Sequence, residues 1–284
     1  MTEGPLNGRT ALITGASGGF GRVLVRAFLE AGANVAALDR NEAGLRELQE
    51  TLGEYDESRL VALAADVADY AQCERAVAQT AHLLGGTHIL INNAALGMGA
   101  IRTDCMTRPV DIEEITPEMW QRFVAVNFSG VWNMTRVAVP VFRAQCWGRI
   151  IDVTTSFFTM LRGGFQPYGA CKAGVEAMAA AHAAELAGSG ITVNVVVPGG
   201  PADTPMVPQE SGYKREDLIA PQVMPPPMLF LCSDAAGEIS GNRYIASQWD
   251  NSVPPGVAEM RCRAPIAWPG LAQNPVWPGG KPDR

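Results

Sequence analysis

The sequence is poor in metal-binding residues and lacks any cysteine pattern suited to crosslinking. Only three histidines occur among the 284 residues, at His82, His88 and His182, and none has metal-ligand spacing with another. The six cysteines form no C-x-x-C motif, a pattern typical of reduced thiols in a cytoplasm. We therefore expect neither a metal centre nor a disulfide framework.

Long apolar runs and excess positive charge are also missing. No run approaches the ~20 residues of a membrane span, and the first ten residues lack the basic and apolar regions of a signal peptide. The net charge of −7 disfavours nucleic acid and anionic membranes as partners. We therefore expect a cytoplasmic protein that acts on a small molecule.

What the sequence does contain is a regular alternation of strand-like and helical patterns, from Thr10 to about Ser247, without a linker. Such alternation predicts an α/β fold with a parallel sheet. We assign residues 1–250 to one domain. Residues 251–284 form a tail rich in proline and tryptophan, in which the prolines argue against a regular helix. Because tryptophan rarely faces water, the tail is predicted to pack on the body or on a partner subunit.

A glycine-rich segment follows the first strand-like run, Arg9 to Thr14, and precedes a helical pattern. Strand, glycine-rich turn and helix is the context that phosphate binding requires. Glycines let the backbone approach a pyrophosphate closely, and the helix N-terminus offers unpaired N–H groups. The residues predicted to bind a dinucleotide here are Gly15, Ser17, Gly18, Gly19, Phe20 and Gly21.

The second strand-like run ends in Asp39, which lies 18 residues past Gly21. That separation is close to the ~20 expected for a carboxylate that binds the adenosine ribose hydroxyls. A carboxylate there would repel a 2′-phosphate, so Asp39 favours NAD. Arg40 follows immediately, and its guanidinium would suit a 2′-phosphate, so NADP stays open as the alternative.

Tyr168 and Lys172 lie four residues apart at the start of an alanine-rich helical pattern. Positions i and i+4 share one helix face, so the ammonium is predicted to lower the pKa of the phenol. Such a tyrosine can exchange a proton with an alcohol or a carbonyl. Reducing a carbonyl also takes a hydride, which side chains cannot supply and a nicotinamide or flavin can.

These motifs resemble those of the short-chain dehydrogenase/reductase family, from about Leu6 to about Trp249. Thr14-Gly15-x-x-x-Gly19-x-Gly21 is similar to the family's cofactor loop. The resemblance implies a single doubly wound Rossmann-type domain with a seven-stranded parallel sheet flanked by helices. It also implies a homodimer or homotetramer.

The resemblance extends to further cofactor contacts. Asp66 and Val67 match the pair that flanks the adenine, and Asn93, Ala94 and Ala95 match a conserved turn in which Ala95 replaces a glycine. Pro198 and Gly199 match the segment that closes over the nicotinamide, and Thr204 matches the threonine that binds its carboxamide.

The catalytic set implied by the resemblance is Asn127, a hydroxyl, Tyr168 and Lys172. The family usually has a serine 13 residues before the tyrosine, which here is Thr155, followed by Ser156. Both hydroxyls stay candidates, with Thr155 preferred. Lys172 would also bond the nicotinamide ribose, and Asn127 would hold a water that connects Lys172 to solvent.

Two segments are expected to choose the substrate, 96–114 and 201–220. The first is longer than the family's usual loop and carries Arg102 and Arg108, which could attract a carboxylate. The expected function is an NAD-preferring alcohol dehydrogenase or carbonyl reductase acting on a secondary alcohol or its ketone. The alternatives are an NADP-dependent ketoreductase and a catalytically silent NAD(H)-binding sensor.

Overall fold

The computed structural model describes residues 4–55 and 58–271, and an eight-stranded sheet runs through it. The strand order is β3-β2-β1-β4-β5-β6-β7-β8; the first seven strands in the chain pair in parallel, and β8 is antiparallel to β7. The strands are β1 (Thr10–Thr14), β2 (Asn34–Asp39), β3 (Leu60–Ala64), β4 (Ile89–Asn92), β5 (Gly148–Val153), β6 (Ile191–Val197), β7 (Asn242–Ile245) and β8 (Arg263–Pro265).

The central strands are buried from end to end because helices cover both faces of the sheet. Alternate residues of β1 enter different cores: Ala11 and Ile13 face one and Leu12 faces the other. The helices are α1 (Gly19–Glu30), α2 (Glu42–Thr51), α3 (Tyr70–Leu84), α4 (Pro117–Val124), α5 (Gly130–Ala144), α6 (Phe157–Leu161), α7 (Tyr168–Glu185), α8 (Pro225–Cys232) and α9 (Pro255–Cys262).

Two layers of helices sandwich the sheet. The core on one face is completed by α1, α2 and α8, and the core on the other by α3, α5 and α7. A single π-helical turn, Ala125–Ser129, joins α4 to α5. The predicted doubly wound α/β fold is confirmed. Among the described residues, no helix is both long enough and apolar enough to cross a bilayer.

The sheet has one strand more than the seven predicted, and the extra strand comes from the tail. Pro255 occupies the first turn of α9, where the missing N–H of proline has no role, so a helix forms there despite the prolines. The chain then returns along β7 as β8, with Asn242 opposite Pro265. Trp268 lies against Phe157, with ring centroids 5.6 Å apart. Trp277 lies outside the described residues.

The strand order reverses between β1 and β4, which are hydrogen-bonded neighbours although two strands separate them in the chain. From that point the chain winds outward in both directions, and the loops at the carboxyl ends of the strands diverge. In open α/β sheets, ligands bind in the crevice that results. The fold therefore predicts a binding site above the ends of β1 and β4.

Candidate active site

A cavity of about 880 Å³ lies above the carboxyl ends of the strands, where the order reverses. Its floor comes from the residues that follow the central strands, and its walls come from the loops between strands and helices. Nearly all of the predicted site residues line it: Gly15, Ser17, Gly18, Gly19, Phe20, Asp39, Arg40, Asp66, Val67, Asn93, Ala94, Ala95, Thr155, Ser156, Tyr168, Lys172, Pro198, Gly199 and Thr204. Gly21 and Asn127 do not.

The glycine-rich turn is shaped by close backbone approaches. Gly15 has a φ of +64°, and a Cβ on it would lie 2.8 Å from the Cα of Ala94. A Cβ on Gly19 would lie 2.5 Å from the Cβ of Thr204, and one on Gly21 would overlap the carbonyl oxygen of Gly15. Gly21 therefore acts below the cavity, by letting α1 begin directly against the turn.

A cross-strand network fixes this turn against the end of β4. The hydroxyl of Thr14 donates to the carbonyl of Ile91 and accepts from the backbone N–H groups of Asn93 and Ala94. The side-chain amide of Asn93 donates to the carbonyl oxygens of Thr14 at 2.9 Å and of Gly15 at 3.1 Å. Asn93 therefore orders the cavity floor through the backbone of the glycine-rich turn.

The carboxylate of Asp39 stands at the end of β2 beside the turn. One of its oxygens accepts from the backbone N–H and the hydroxyl of Ser17, at 3.0 and 2.8 Å. The other accepts from the backbone N–H of Asn41 at 3.0 Å. These bonds hold the negative charge at the rim of the cavity, next to Arg40.

Asp66 and Val67 form the next part of the rim, past the end of β3, the strand that pairs with β2. The Asp66 carboxylate accepts from the N–H of Ala68 at 2.9 Å, and the carbonyl of Val67 accepts from the Asn133 amide at 2.9 Å. The Val67 side chain packs where a Cβ on Gly130 would fall, 2.7 Å away. The rim is thereby anchored to α5, and an apolar side chain faces the cavity.

Tyr168, Lys172 and Thr155 converge at the end of β5. Tyr168 is the first residue of α7, and Lys172 lies one turn further along the same face. The ammonium of Lys172 is buried and donates to the carbonyl of Val153 at 2.7 Å. The side chain of Thr155 lies beside the phenol and lowers the pKa of Tyr168, which favours the phenolate form.

Ser156 lies beside Thr155, but its hydroxyl has a different role, as the cap of α6. Its hydroxyl caps α6 by accepting from the backbone N–H of Thr159 at 3.1 Å, and it is also 2.8 Å from the Thr159 hydroxyl. The Ser156 oxygen is therefore engaged within its own turn. Of the two candidate hydroxyls, only Thr155 is linked to Tyr168 among the described contacts.

The electrostatics differ from what the Tyr–Lys spacing alone predicts. Burial raises the pKa of the Tyr168 phenol to about 12, and the neighbouring side chain of Thr155 opposes this only in part. Burial lowers the pKa of Lys172 to about 8, against the opposing effect of the Asp152 carboxylate. In the protein alone, desolvation of the phenol outweighs the lowering of its pKa, and the effect of Lys172 on Tyr168 stays a prediction.

Asn127 lies in the π-helical turn, outside the cavity lining. It is fully buried in the π-helical turn, where its amide oxygen accepts from the N–H of Leu96 at 2.7 Å and its amide nitrogen donates to the Leu96 carbonyl at 2.8 Å. Both polar atoms of the side chain are thus satisfied by backbone. The side-chain amide therefore anchors the loop after β4, and the water predicted at Asn127 stays a prediction.

The long segment after β4 builds the far wall of the cavity. Met98, Cys105 and Val110 form a small separate core with Phe123 of α4 and Phe165. Arg102 donates to Glu114 at 2.8 Å, and Arg108 lies 3.7 Å from the same carboxylate. Neither arginine lines the cavity, because the acid inside their own segment holds both.

The substrate wall instead carries an arginine that the sequence reasoning passed over. Arg162 lines the cavity, with its guanidinium 4.5 Å from the centroid of the Phe165 ring. In the part of the chain that the structure describes, it forms no ion pair. The rest of this wall is mostly apolar: Leu96, Met98, Met106, Phe158, Phe165, Met206, Val207 and Tyr213. Only its place in the loop between Thr155 and Tyr168 could have indicated Arg162.

Comparison with known proteins agrees with this geometry. The profile of the family described as short chain dehydrogenase matches residues 9–214. Acetoacetyl-CoA reductase of Rhizobium meliloti is 32% identical over 248 residues, which cover 84% of this chain and 97% of that protein. The 3beta-hydroxysteroid dehydrogenase 2 of Eggerthella lenta is 31% identical over 249 residues, covering 83% and 92%.

A solved structure is similar over the same region. It is a 3-ketoacyl-(acyl-carrier-protein) reductase from Brucella melitensis complexed with NADH, with a TM-score of 0.73 and 31% sequence identity. The match covers 84% of this chain and 96% of that one. A family profile that spans most of the sequence, and relatives matched over nearly their whole length, place this chain in the short-chain dehydrogenase/reductase family.

Proposed function

We propose that this protein transfers a hydride between NAD(H) and a secondary alcohol or its ketone, with Tyr168 as the acid/base. One observation carries the proposal. A backbone cradle suited to a dinucleotide and the neighbouring side chains of Tyr168 and Thr155 open into the same cavity. Neither feature alone would require this chemistry, but a redox step on a carbonyl needs both in one place.

The cavity fits a nicotinamide dinucleotide at the residues where its phosphates and ribose would lie. Gly15 and Gly19 allow close approaches of Ala94 and Thr204 that a Cβ would block, and α1 begins directly at this turn. Asp39 sits where the adenosine ribose hydroxyls would be bound, and its fixed negative charge disfavours a 2′-phosphate. Arg40 also lines the cavity, and it is the residue on which the NADP alternative depends.

When bound, the cofactor supplies or accepts the hydride, and the chain's own residues handle the proton. In the direction of reduction, Thr155 donates a hydrogen bond to the substrate carbonyl oxygen. Tyr168 gives its proton to that oxygen as the alcohol forms. The high pKa of the phenol keeps Tyr168 protonated, which suits a proton donor. The Lys172 cation would stabilise the phenolate that remains.

The shape of the substrate wall supports a substrate with a sizeable apolar portion beside its carbinol. Methionines and aromatic rings dominate that wall, and Met206 and Tyr213 are themselves partly exposed. The relatives named for a 3beta-hydroxysteroid and for acetoacetyl-CoA act on compounds that carry a secondary alcohol or ketone next to apolar carbon. We propose the same arrangement for the substrate here.

The test is cofactor reduction by the purified protein, with NAD and NADP each offered alongside a panel of hydroxysteroids, 3-hydroxyacyl thioesters, hydroxy acids and aryl carbinols. Turnover with NAD that is lost in Tyr168→Phe, while NADH still quenches protein fluorescence in that variant, is the expected result. Turnover with NADP alone would show that Arg40 outweighs Asp39. NADH binding without turnover on any of these alcohols would favour the sensor.

We further propose that residues 1–250 act as one domain in a cytoplasmic homodimer or homotetramer. Trp120 of α4 and Trp132 of α5 are 42% and 46% exposed, which is unusual for tryptophan and suits a subunit interface. Light scattering should then give a mass of at least twice 30.2 kDa. A mass equal to one chain would contradict this part of the proposal.

A further inference from the structure

Three consecutive residues at the end of β5 are each held by a different ionisable side chain. Lys172 donates to the carbonyl of Val153 at 2.7 Å. The hydroxyl of Thr154 donates to the carboxylate of Glu176 at 2.8 Å. The guanidinium of Arg243 donates to the carbonyl of Thr155 at 2.7 Å. The backbone that carries Thr155 is thus fixed from α7 on one side and from β7 on the other.

Glu176 extends the Tyr–Lys spacing by one more helical turn. Residues 168, 172 and 176 share one face of α7, so Glu176 faces the end of β5 beneath Lys172. Its carboxylate is fully buried, and Arg243 is only 5% exposed. Their nearest atoms, Oε1 and Nε, are 3.1 Å apart, in a geometry that falls short of a linear hydrogen bond.

A buried pair of this kind is not explained by stability. The cost of desolvating two charges about equals or exceeds their attraction, so a pair of apolar residues would serve a core at least as well. What the charged groups provide is directional hydrogen bonding to the end of β5. The carboxylate and the guanidinium each bond to one residue of the strand end, and an apolar pair could make neither contact.

The tail completes the surroundings of the pair. The backbone N–H of Ala267 donates to Glu176 at 3.4 Å. The ring of Phe157 contacts both the Arg243 guanidinium, 4.3 Å from its centroid, and the ring of Trp268. Phe157 is also the first residue of α6, two positions after Thr155. Residues 263–268 therefore cover the groups that hold the catalytic strand end.

We propose that Arg243 and Glu176 are positioning residues that aim the Thr155 hydroxyl into the active site, and that the tail segment 263–268 holds them in place. The inference rests on the proposed function, in which Thr155 polarises the substrate oxygen. A threonine has few side-chain rotamers, so the direction of its hydroxyl follows its backbone. A displacement of about 1 Å at a reacting group can lower a rate by about 100-fold.

The experiment compares two neighbours on β7 that face opposite sides of the sheet. Arg243→Met removes the bond to the Thr155 carbonyl and the ion pair with Glu176 but keeps an apolar stem against Phe157. The matched control is Tyr244→Phe, which removes the equally buried 2.6 Å hydrogen bond from Tyr244 to Glu259 of α9. Both variants lose a buried polar contact, and only the first lies at Thr155.

We expect Arg243→Met to lower kcat by about 10- to 100-fold, with KM for substrate and the Kd for NADH within about threefold of wild type. Hydrogen exchange of peptides covering 150–160 should become faster in Arg243→Met and stay unchanged in Tyr244→Phe. If Arg243→Met does not fold, Arg243→Lys keeps the charge for Glu176 but has a single donor group, and should show the same pattern with a smaller fall in kcat.

Two outcomes would overturn the inference. One is a kcat for Arg243→Met and Arg243→Lys within twofold of wild type. The other is an equal loss of activity in Tyr244→Phe that tracks an equal loss of melting temperature. If the wild type turns over no secondary alcohol, the proposed function fails separately. The exchange comparison still decides whether Arg243 orders the strand end, because unchanged exchange at 150–160 in the arginine variants rejects it.

Discussion

The two ends of the cavity are built in different ways. At the cofactor end, the walls are formed by backbone. Gly15 lies in close contact with the turn after β4, and Thr14 and Asn93 form hydrogen bonds between the ends of β1 and β4. At the substrate end, the walls are side chains of methionine, phenylalanine and tyrosine from loops and short turns. A backbone wall has one shape and rejects added atoms, whereas a wall of long side chains can repack. One end therefore fixes a common cofactor and the other allows the substrate to vary.

The boundary between the two ends is the pair of hydroxyls, and the largest effect is expected there. Thr155→Val keeps the shape of the side chain and removes the hydroxyl, so kcat should fall by about 100- to 1,000-fold, the usual loss for one donor to a developing oxyanion. Ser156→Ala should change kcat by less than about threefold and cost about 1 kcal/mol of stability through the lost helix cap. Steady-state kinetics and thermal melts measure both.

The reverse result, an inactive Ser156→Ala and an active Thr155→Val, would move the catalytic role to Ser156. NADH binding should be unchanged in both variants, which separates loss of chemistry from loss of the cofactor end.

The same substitution made at the two ends tests the difference in their construction directly. In Gly15→Ala the new methyl group meets the backbone of Ala94 at 2.8 Å, and the residue keeps a φ that disfavours any Cβ. In Gly97→Ala the methyl group meets the Met206 side chain, which is 38% exposed and can move aside. We expect the Kd for NADH to rise by about 30-fold or more in the first variant and by less than about threefold in the second.

Fluorescence titration with NADH measures both constants. Equal weakening in the two variants would show that the substrate end is as rigid as the cofactor end.

The difference between backbone-built and side-chain-built features also explains which parts of the structure were predictable from the sequence. Gly15, Asp39 and Tyr168 were predictable because backbone geometry, strand ends and one helical turn are local, and each leaves a pattern within a few residues. The eighth strand was missed because the prolines at 254 and 255 were read as excluding a helix, while Pro255 in fact begins α9. The role of the Asn127 side chain was missed because its partner, Leu96, is 31 residues away.

The support of the active site shows the same limit. Glu176 follows Lys172 at the spacing of one helical turn, so its place on the catalytic face could have been inferred. Arg243 could not, because it reaches Thr155 from a strand 88 residues further along the chain, and nothing in its neighbourhood indicates a partner. Only the register of β6 and β7 brings the two together.

A third prediction concerns the buried carboxyl beneath the cofactor end. Asp152 on β5 is fully buried; one of its oxygens accepts from Asn92 at 2.8 Å, and the other has no partner in the described structure. Burial raises the pKa of Asp152 from 3.8 to about 6, with Asn92 and Lys172 opposing this in part. Between those values the folded chain retains a proton that the unfolded chain has released, so this contribution to stability is lost as the pH rises through about 6.

The variant Asp152→Asn lacks this titration. Relative to it, the wild type should lose about 1 to 3 kcal/mol of unfolding free energy between pH 4 and pH 7. Urea denaturation at several pH values measures the difference, with Asp217→Asn on an exposed turn as the control. Parallel stability curves for wild type and Asp152→Asn would show that the carboxyl is ionised throughout this range.

The smallest effect is expected at the substrate end of the cavity. Among the described residues that line this end, Arg162 is the only cation besides Lys172. Arg162→Met keeps an apolar side chain over Phe165 but removes the charge. For a substrate with a carboxylate or phosphate, kcat/KM should fall by about 5- to 10-fold, near 1 kcal/mol, and for a neutral substrate it should change by less than about twofold.

Arg108→Met, which removes a charge already paired with Glu114 outside the cavity, is the control. Since surface charge steers anions from any direction, only a fall specific to Arg162 assigns the effect to the wall. An equal fall of kcat/KM in both variants would mean that the substrate end selects its substrate by shape and not by charge.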